Sequence, residues 1–250
     1  MDANNELKLA VLIDADNVPS SNVKGMLEEI AKYGTPTFKR IYGDFTKPNL
    51  AGWKSVLQAH AITPIQQYGY TTGKNATDSA LIIDAMDILY TGNVDGFCII
   101  SSDSDFTRLA TRLREAGKKV FGLGEKKTPA AFIAACNKFI YLEILQKEAR
   151  EPAAPVRVTK KKLKKEDPVA TQRKTLEQLI TNSVNDLAEE DGWVFLGVLG
   201  NLILKKQPDF DPRNFGFKKL LDLIKSMPAL EIEERHTGKN NTAHFYVRTK

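Results

Sequence analysis

The chain has 250 residues, 42% of them hydrophobic and 27% charged, enough to bury one large core or two modest ones. No stretch approaches the run of about 20 apolar residues that a membrane span needs, and MDANNELKLAVLIDAD at the N-terminus lacks the pattern of a signal peptide. Cys98 and Cys136 have no neighbour at metal-ligand spacing, and Cys98 lies inside the apolar run GFCIIS. Both are expected to be buried free thiols, which points to a reducing, cytoplasmic setting.

The formal net charge of +5 is unevenly placed. Residues 1–146 hold 16 basic and 16 acidic side chains, residues 147–174 hold ten and four, and residues 175–250 hold ten and eleven. The basic excess therefore sits in EAREPAAPVRVTKKKLKKEDPVA, a stretch with three prolines, no aromatic residue and no apolar periodicity. It reads as a flexible basic linker over 147–170 between domains at 1–146 and 171–250. Its lysines either keep a tether solvated or grip phosphate backbone by counterion release. Composition leaves both open.

Before the linker, β-rich apolar runs at 9–13, 37–42, 62–68, 96–101 and 118–124 alternate with helical patterns near 20–33, 50–59, 77–91, 104–116 and 129–136. That alternation predicts an α/β fold, a doubly wound parallel sheet with helices on both faces. Ligands of such sheets bind beyond the carboxyl ends of the strands, where strand order reverses. After the linker the pattern changes to helices near 171–189, 194–206 and 212–226, then two strands at 229–234 and 243–248 joined by the polar turn RHTGKNNT. Three helices and a terminal hairpin suggest a small α+β winged-helix domain.

Acids collect at the predicted ligand edge. The first strand ends in Asp14-Ala15-Asp16-Asn17 and the fourth in Ser101-Ser102-Asp103-Ser104-Asp105. In a doubly wound sheet these strands are neighbours, which would bring Asp14 and Asp103 together across 89 positions. A third acid, Asp78, opens the helix DSALIIDAMDILY, with Thr77 as its expected N-cap. Gathered carboxylates repel one another, so such a cluster calls for a divalent cation. Oxygen donors without Cys or His favour Mg²⁺ or Mn²⁺. Asp16 and Asp105 can also be read as helix caps, and Asp87 as a solvated face residue. Asp84 lies about 240° around the helix from Asp78 and does not share its face.

These motifs carry a resemblance. VLIDADNV, KNATDSALIIDA and SSDSDFTRLATRLREAGKKVFGLG resemble the NYN domains, a PIN-like nuclease branch that includes LabA-like bacterial proteins. The likeness spans about residues 7–145 and implies a Rossmann-like, metal-dependent ribonuclease with Asp14, Asp78, Asp103 and Asp105 as catalytic, metal-holding acids. It also implies Asn17 as a polar partner, and Lys74, Ser101 and Ser102 beside the substrate. Ser102 stands where the commoner family form has Gly. Residues 172–248 resemble the LOTUS, or OST-HTH, winged-helix module, most clearly at Phe215-Gly216-Phe217-Lys218-Lys219-Leu220. That resemblance implies RNA, single-stranded or structured, as a partner, with Lys205, Lys206, Arg213, Lys218 and Lys219 as contacts. Trp193, Phe215 and Phe217 read as core. PIN-like relatives also suggest a homodimer.

Two other readings stand beside the nuclease. Asp14-Ala15-Asp16 after a first strand also fits a haloacid-dehalogenase-type phosphatase, in which the first Asp is a covalent nucleophile. That reading lacks a lysine at the expected strand end. The other is an RNA-binding adaptor with a degenerate nuclease fold, which acids dispersed by more than about 10 Å in the structure would favour over metal binding at one point.

Overall fold

The computed structural model describes residues 6–68, 76–150, 168–188, 191–237 and 242–250, with the side chains of 147–150, 168–172, 237 and 242 left aside. The chain forms two compact units, 1–152 and 153–250.

The first unit is built on six parallel strands: β1 (Lys8–Asp14), β2 (Thr35–Gly43), β3 (Thr63–Gln66), β4 (Gly96–Ile100), β5 (Lys119–Gly124) and β6 (Lys138–Tyr141). Their spatial order is β3-β2-β1-β4-β5-β6, so β1 lies between β2 and β4 and the order reverses there. In register, Ile13 pairs with Ile100 and Asp14 with Tyr42. Strands covered on both faces read as unbroken apolar runs, and Leu9 to Asp14 are all buried. Leu9, Val11 and Ile13 face one core with α1 (Val23–Ile30), while Ala10 and Leu12 face the other with α3 (Ala76–Thr91), α4 (Thr107–Glu115) and α5 (Ala130–Ala135). The α/β class and the neighbouring of the first and fourth strands, read from the alternation, are what the structure shows.

Some elements escaped the pattern. β6 passes straight into α6 (Leu142–Arg150) without Gly or Pro between them, so no turn signal marks it. Leu142 and Leu145 of α6 complete the α1-side core, beside α1, while α2 (Trp53–Ala59) follows β2. α6 thus runs into the stretch read as linker, of which residues 151–167 lie outside the described ones.

The second unit contains α7 (Pro168–Leu187), the two-residue β7 (Val194–Phe195), α8 (Leu196–Lys206), α9 (Leu220–Lys225) and the antiparallel strands β8 (Leu230–Thr237) and β9 (Thr242–Thr249). The helix expected over 212–226 is two pieces, a 3₁₀ turn Pro212–Phe215 and α9. Gly216 separates them at φ 85°, a left-handed conformation that stops a helix. The hairpin strands run longer than expected, and the tip at 238–241 is outside the described residues. Strand order β7-β9-β8 gives the small α+β domain its sheet. No helix among the described residues is long and apolar enough to cross a membrane.

Where β5 meets β6 the packing leaves no room for a side chain on Gly122: a Cβ there would sit 2.5 Å from the Phe139 ring and 2.8 Å from Cys136 Sγ. Gly122→Ala is expected to cost about 1–3 kcal/mol by overpacking, read as a lowered denaturant midpoint with an unchanged slope.

Candidate active site

The acids meet at the strand-order reversal because parallel strands end together. β1 delivers Asp14 and the following turn delivers Asp16 and Asn17, while the loop after β4 delivers Ser101, Ser102, Asp103 and Asp105. α3 packs across β1 and β2 and touches the 3₁₀ turn Ser104–Phe106, so its first turn places Asp78 over the same edge. Carboxylate oxygens of Asp78, Asp103 and Asp105 lie within 4.8 Å of one another.

Asp14 is held differently. It is fully buried, and its Oδ2 accepts from Asn17 Nδ2 at 2.6 Å and Ser101 Oγ at 2.8 Å, while Oδ1 accepts from the Asp16 amide at 3.1 Å. Ser101 Oγ in turn accepts from the Asp103 amide at 3.0 Å. Asp14 is outside that trio of oxygens, but it is tied to Asp103 through Ser101, and its charge is the first of the neighbouring ones that act on Asp78. Burial pushes its carboxyl above the ordinary range, against the pull of the Ser101 and Asn17 hydrogen bonds.

Asp103 caps the 3₁₀ turn by accepting from the Asp105 amide at 2.9 Å. The capping role weighed for Asp105 thus belongs to Asp103, and Asp105 is left exposed at the mouth. Asp16 does not cap the helix that follows it; it is exposed, and its Oδ2 accepts from Thr77 Oγ1 at 3.3 Å. Thr77 is not an N-cap, because α3 begins one residue earlier, at Ala76. Asp78 is half-buried, and its carboxyl is pushed up to about 6, first by burial and then by Asp14, Asp103, Asp105 and Asp16.

Ser102 is buried and accepts from the Glu125 amide at 2.9 Å, which ties the loop after β4 to the loop after β5. Lys74 lies outside the described residues. Asp44, which the sequence reading did not single out, is buried at the end of β2, where one oxygen accepts from Thr46 N, Thr46 Oγ1 and Gln66 Nε2. A lone acid after a strand carries no pattern that would have marked it.

The residues fit a hard divalent cation. Ligands at about 2.1 Å from an ion lie up to about 4 Å apart across it, close to the spacing of the three convergent acids, and all the donors are oxygens.

In the second unit, Lys206 pairs with Asp186 and donates to Ser183, and Arg213 pairs with the buried Asp211 at 2.7 Å. Lys205, Lys218 and Lys219 are exposed. Phe215 and Phe217 pack against the core, as expected. Trp193 does not: its ring is covered by Arg235 and Arg248, with guanidinium carbons 5.4 and 4.5 Å from its centroid. Trp193 precedes β7 by one residue, which puts it on the side away from the core residue Val194.

A parallel α/β sheet with acids gathered at its reversal point is the PIN-like nuclease arrangement. The NYN domain model matches residues 8–143, more than half of the chain, and the chain belongs to that family, within the nuclease superfamily. The OST-HTH/LOTUS domain model matches residues 167–242. No curated protein matches the chain. Among solved structures, the chain is similar to a protein of unknown function from Vibrio parahaemolyticus, at 20% identity and TM-score 0.46 over 56% of this chain and 94% of that one. It is also similar to an uncharacterized protein from Nitrosomonas europaea, at 31% identity and TM-score 0.28 over 40% of this chain and 86% of that one. A protein from Chromobacterium violaceum follows at 30% identity and TM-score 0.25, over 30% of this chain and 78% of that one.

The raised Asp78 pKa sets a pH dependence. Its folded value, about 6, exceeds its ordinary value of 3.8, so the folded state binds more protons across that window. Stability therefore falls as pH rises from about 4 to 6 and stays reduced above it. In EDTA, Asp78→Asn is expected to raise the melting temperature at pH 7.5 and leave it unchanged at pH 4. A cation is expected to stabilise the wild type more at pH 7.5 than at pH 5.

Proposed function

We propose that the chain is a metal-dependent ribonuclease that hydrolyses RNA phosphodiester bonds at its acidic cluster, with the winged-helix domain and basic linker holding RNA. The observation that carries this reading is the convergence of Asp78, Asp103 and Asp105 at the reversal point. Three mutually repelling carboxylates from two separate elements are costly to assemble unless a cation neutralises them. Their gathering also argues against the degenerate adaptor.

Asp78, Asp103 and Asp105 would hold Mg²⁺ or Mn²⁺. Such an ion, when bound, lowers the pKa of water and stabilises charge developing on a phosphate. Asp14 adds negative charge beside Asp78 and, through Ser101, holds the Asp103 backbone. Asn17 donates to the same Asp14 oxygen as Ser101. Exposed Asp105 stands at the mouth, where a substrate strand enters. Asp14 is a poor covalent nucleophile, being fully buried with both oxygens hydrogen-bonded, which weighs against the phosphatase.

The OST-HTH/LOTUS match supports RNA association for the second unit. Lys205, Lys218 and Lys219 have free solvent access and are the proposed phosphate contacts. Lys206 and Arg213 serve the domain's own acids first.

End-labelled single-stranded RNA and DNA, incubated with Mn²⁺, Mg²⁺ or EDTA, test the reaction. RNA cleavage that needs a divalent ion is expected, with Asp78→Asn and Asp103→Asn each reducing the rate by more than about a hundredfold, above the usual cost of losing an outer partner of a metal site. RNA binding without cleavage under every ion would favour the adaptor. For the second unit, charge reversal at Lys218 and Lys219 together is expected to lower the salt slope of RNA binding by about 1.4, from about 0.7 per phosphate contact on single strands. Arg213→Ala is expected to act on folding instead, lowering the melting temperature by stranding Asp211.

A further inference from the structure

Asp84 is the second acid that α3 directs inward, and one strand holds both of its oxygens. Arg40 of β2 pairs with Oδ1 through Nη1, and Tyr42 Oη donates to Oδ2. Arg40 and Asp84 side chains are 30% and 19% exposed, and Tyr42 is fully buried. Arg40 is braced in turn by Phe38, whose ring centroid lies 5.3 Å from the guanidinium carbon.

The apolar stripe of α3 sets which side of the helix meets the sheet, to within the width of that stripe. Leu81, Ala85, Ile88 and Leu89 are apolar, and burial of apolar surface is non-directional. Thr77 adds a 3.3 Å hydrogen bond to the exposed Asp16. Rotation matters in the first turn of the helix, where Asp78 lies. With side chains reaching about 5–6 Å from the axis, a turn of about 20° carries a carboxylate by about 2 Å. Metal ligands tolerate about 0.2 Å. The charge-assisted bonds from Arg40 and Tyr42 supply the direction that the apolar face lacks. Tyr42 is also the register partner of Asp14, so the same point of the sheet adjoins one acid of the site and aims the helix that carries another.

We propose that Arg40, Tyr42 and Asp84 form a clamp that sets the rotation of α3 and so holds Asp78 against Asp103 and Asp105, a positioning role that rests on the nuclease reading of the site.

The test uses the full chain with Tyr42→Phe, which keeps the ring and removes one hydrogen bond, and Asp84→Asn, which removes the charge. Leu113→Ala, a cavity in α4 within the same core that leaves Arg40, Tyr42 and Asp84 in place, controls for lost stability. Hydrogen exchange is measured first in EDTA, at amides 80–84, whose helical bonds run to residues 76–80. Exchange about tenfold faster than in Leu113→Ala is expected for both clamp variants. Protection equal to that of the control overturns the proposal, whatever the site binds. Calorimetric titration with Mn²⁺ follows, with an expected dissociation constant about tenfold weaker in Tyr42→Phe and Asp84→Asn and little changed in Leu113→Ala. Equal affinity in wild type and clamp variants also overturns it. Wild type that takes up no Mn²⁺ counts against the nuclease reading instead, and the exchange data then decide the clamp alone.

Discussion

Like-charge repulsion among carboxylates is the constraint around which the first unit is organised. Asp14, Asp78 and Asp103 come from three elements far apart in sequence, and bringing their charges to one edge works against folding. The parallel sheet accomplishes it because β1 and β4 end side by side, and because the core on the Ala10 and Leu12 face presses α3 and α4 onto the strands. Asp78 carries both costs, its proton held to about 6 first by burial and then by the neighbouring acids. Donors aimed at Asp14 offset part of the cost, and a cation would offset the rest.

Position relative to water separates the roles of these acids. Asp14 is sealed in and spends its lone pairs on Ser101, Asn17 and a backbone amide. Asp103 spends one oxygen on its own turn. Asp78 is half-open and Asp105 exposed. The cluster is thus graded from a buried anchor to an open mouth, an order suited to a polyanionic strand arriving from solvent. The second unit applies the same logic to cations. Arg213 is committed to buried Asp211 and Lys206 to Asp186, while Lys205, Lys218 and Lys219 are exposed to solvent.

Apolar packing and directional polar contacts divide the work in α3. Its buried face supplies most of the adhesion, and the three-residue contact at Asp84 supplies orientation. A helix that carries one acid of the proposed metal site needs both, because adhesion alone allows slippage on the scale of a coordination bond.

The alternation of apolar runs and helical patterns determined the parallel sheet, since strands buried on both faces must be continuously apolar and parallel neighbours need a crossover helix. With the sheet came the adjacency of β1 and β4, across which Ser101 links Asp14 to Asp103, and the motifs around them carried the family. Tertiary structure alone decided which acids converge. Asp14 and Asp103 both close apolar strands, yet one is sealed behind Ser101 and the other faces Asp78, a difference of side-chain partners that spacing does not encode. It also decided the clamp. Around α3 alone, Asp84 points away from Asp78, and only the placement of β2 beneath the helix puts Arg40 and Tyr42 against it. β6 was hidden because it enters α6 with no Gly or Pro between them, and the break at Gly216 because a left-handed residue is a backbone event that helical periodicity passes over. Periodicity reports which face is buried; the contacts between faces, set by the whole fold, choose each polar group's partner.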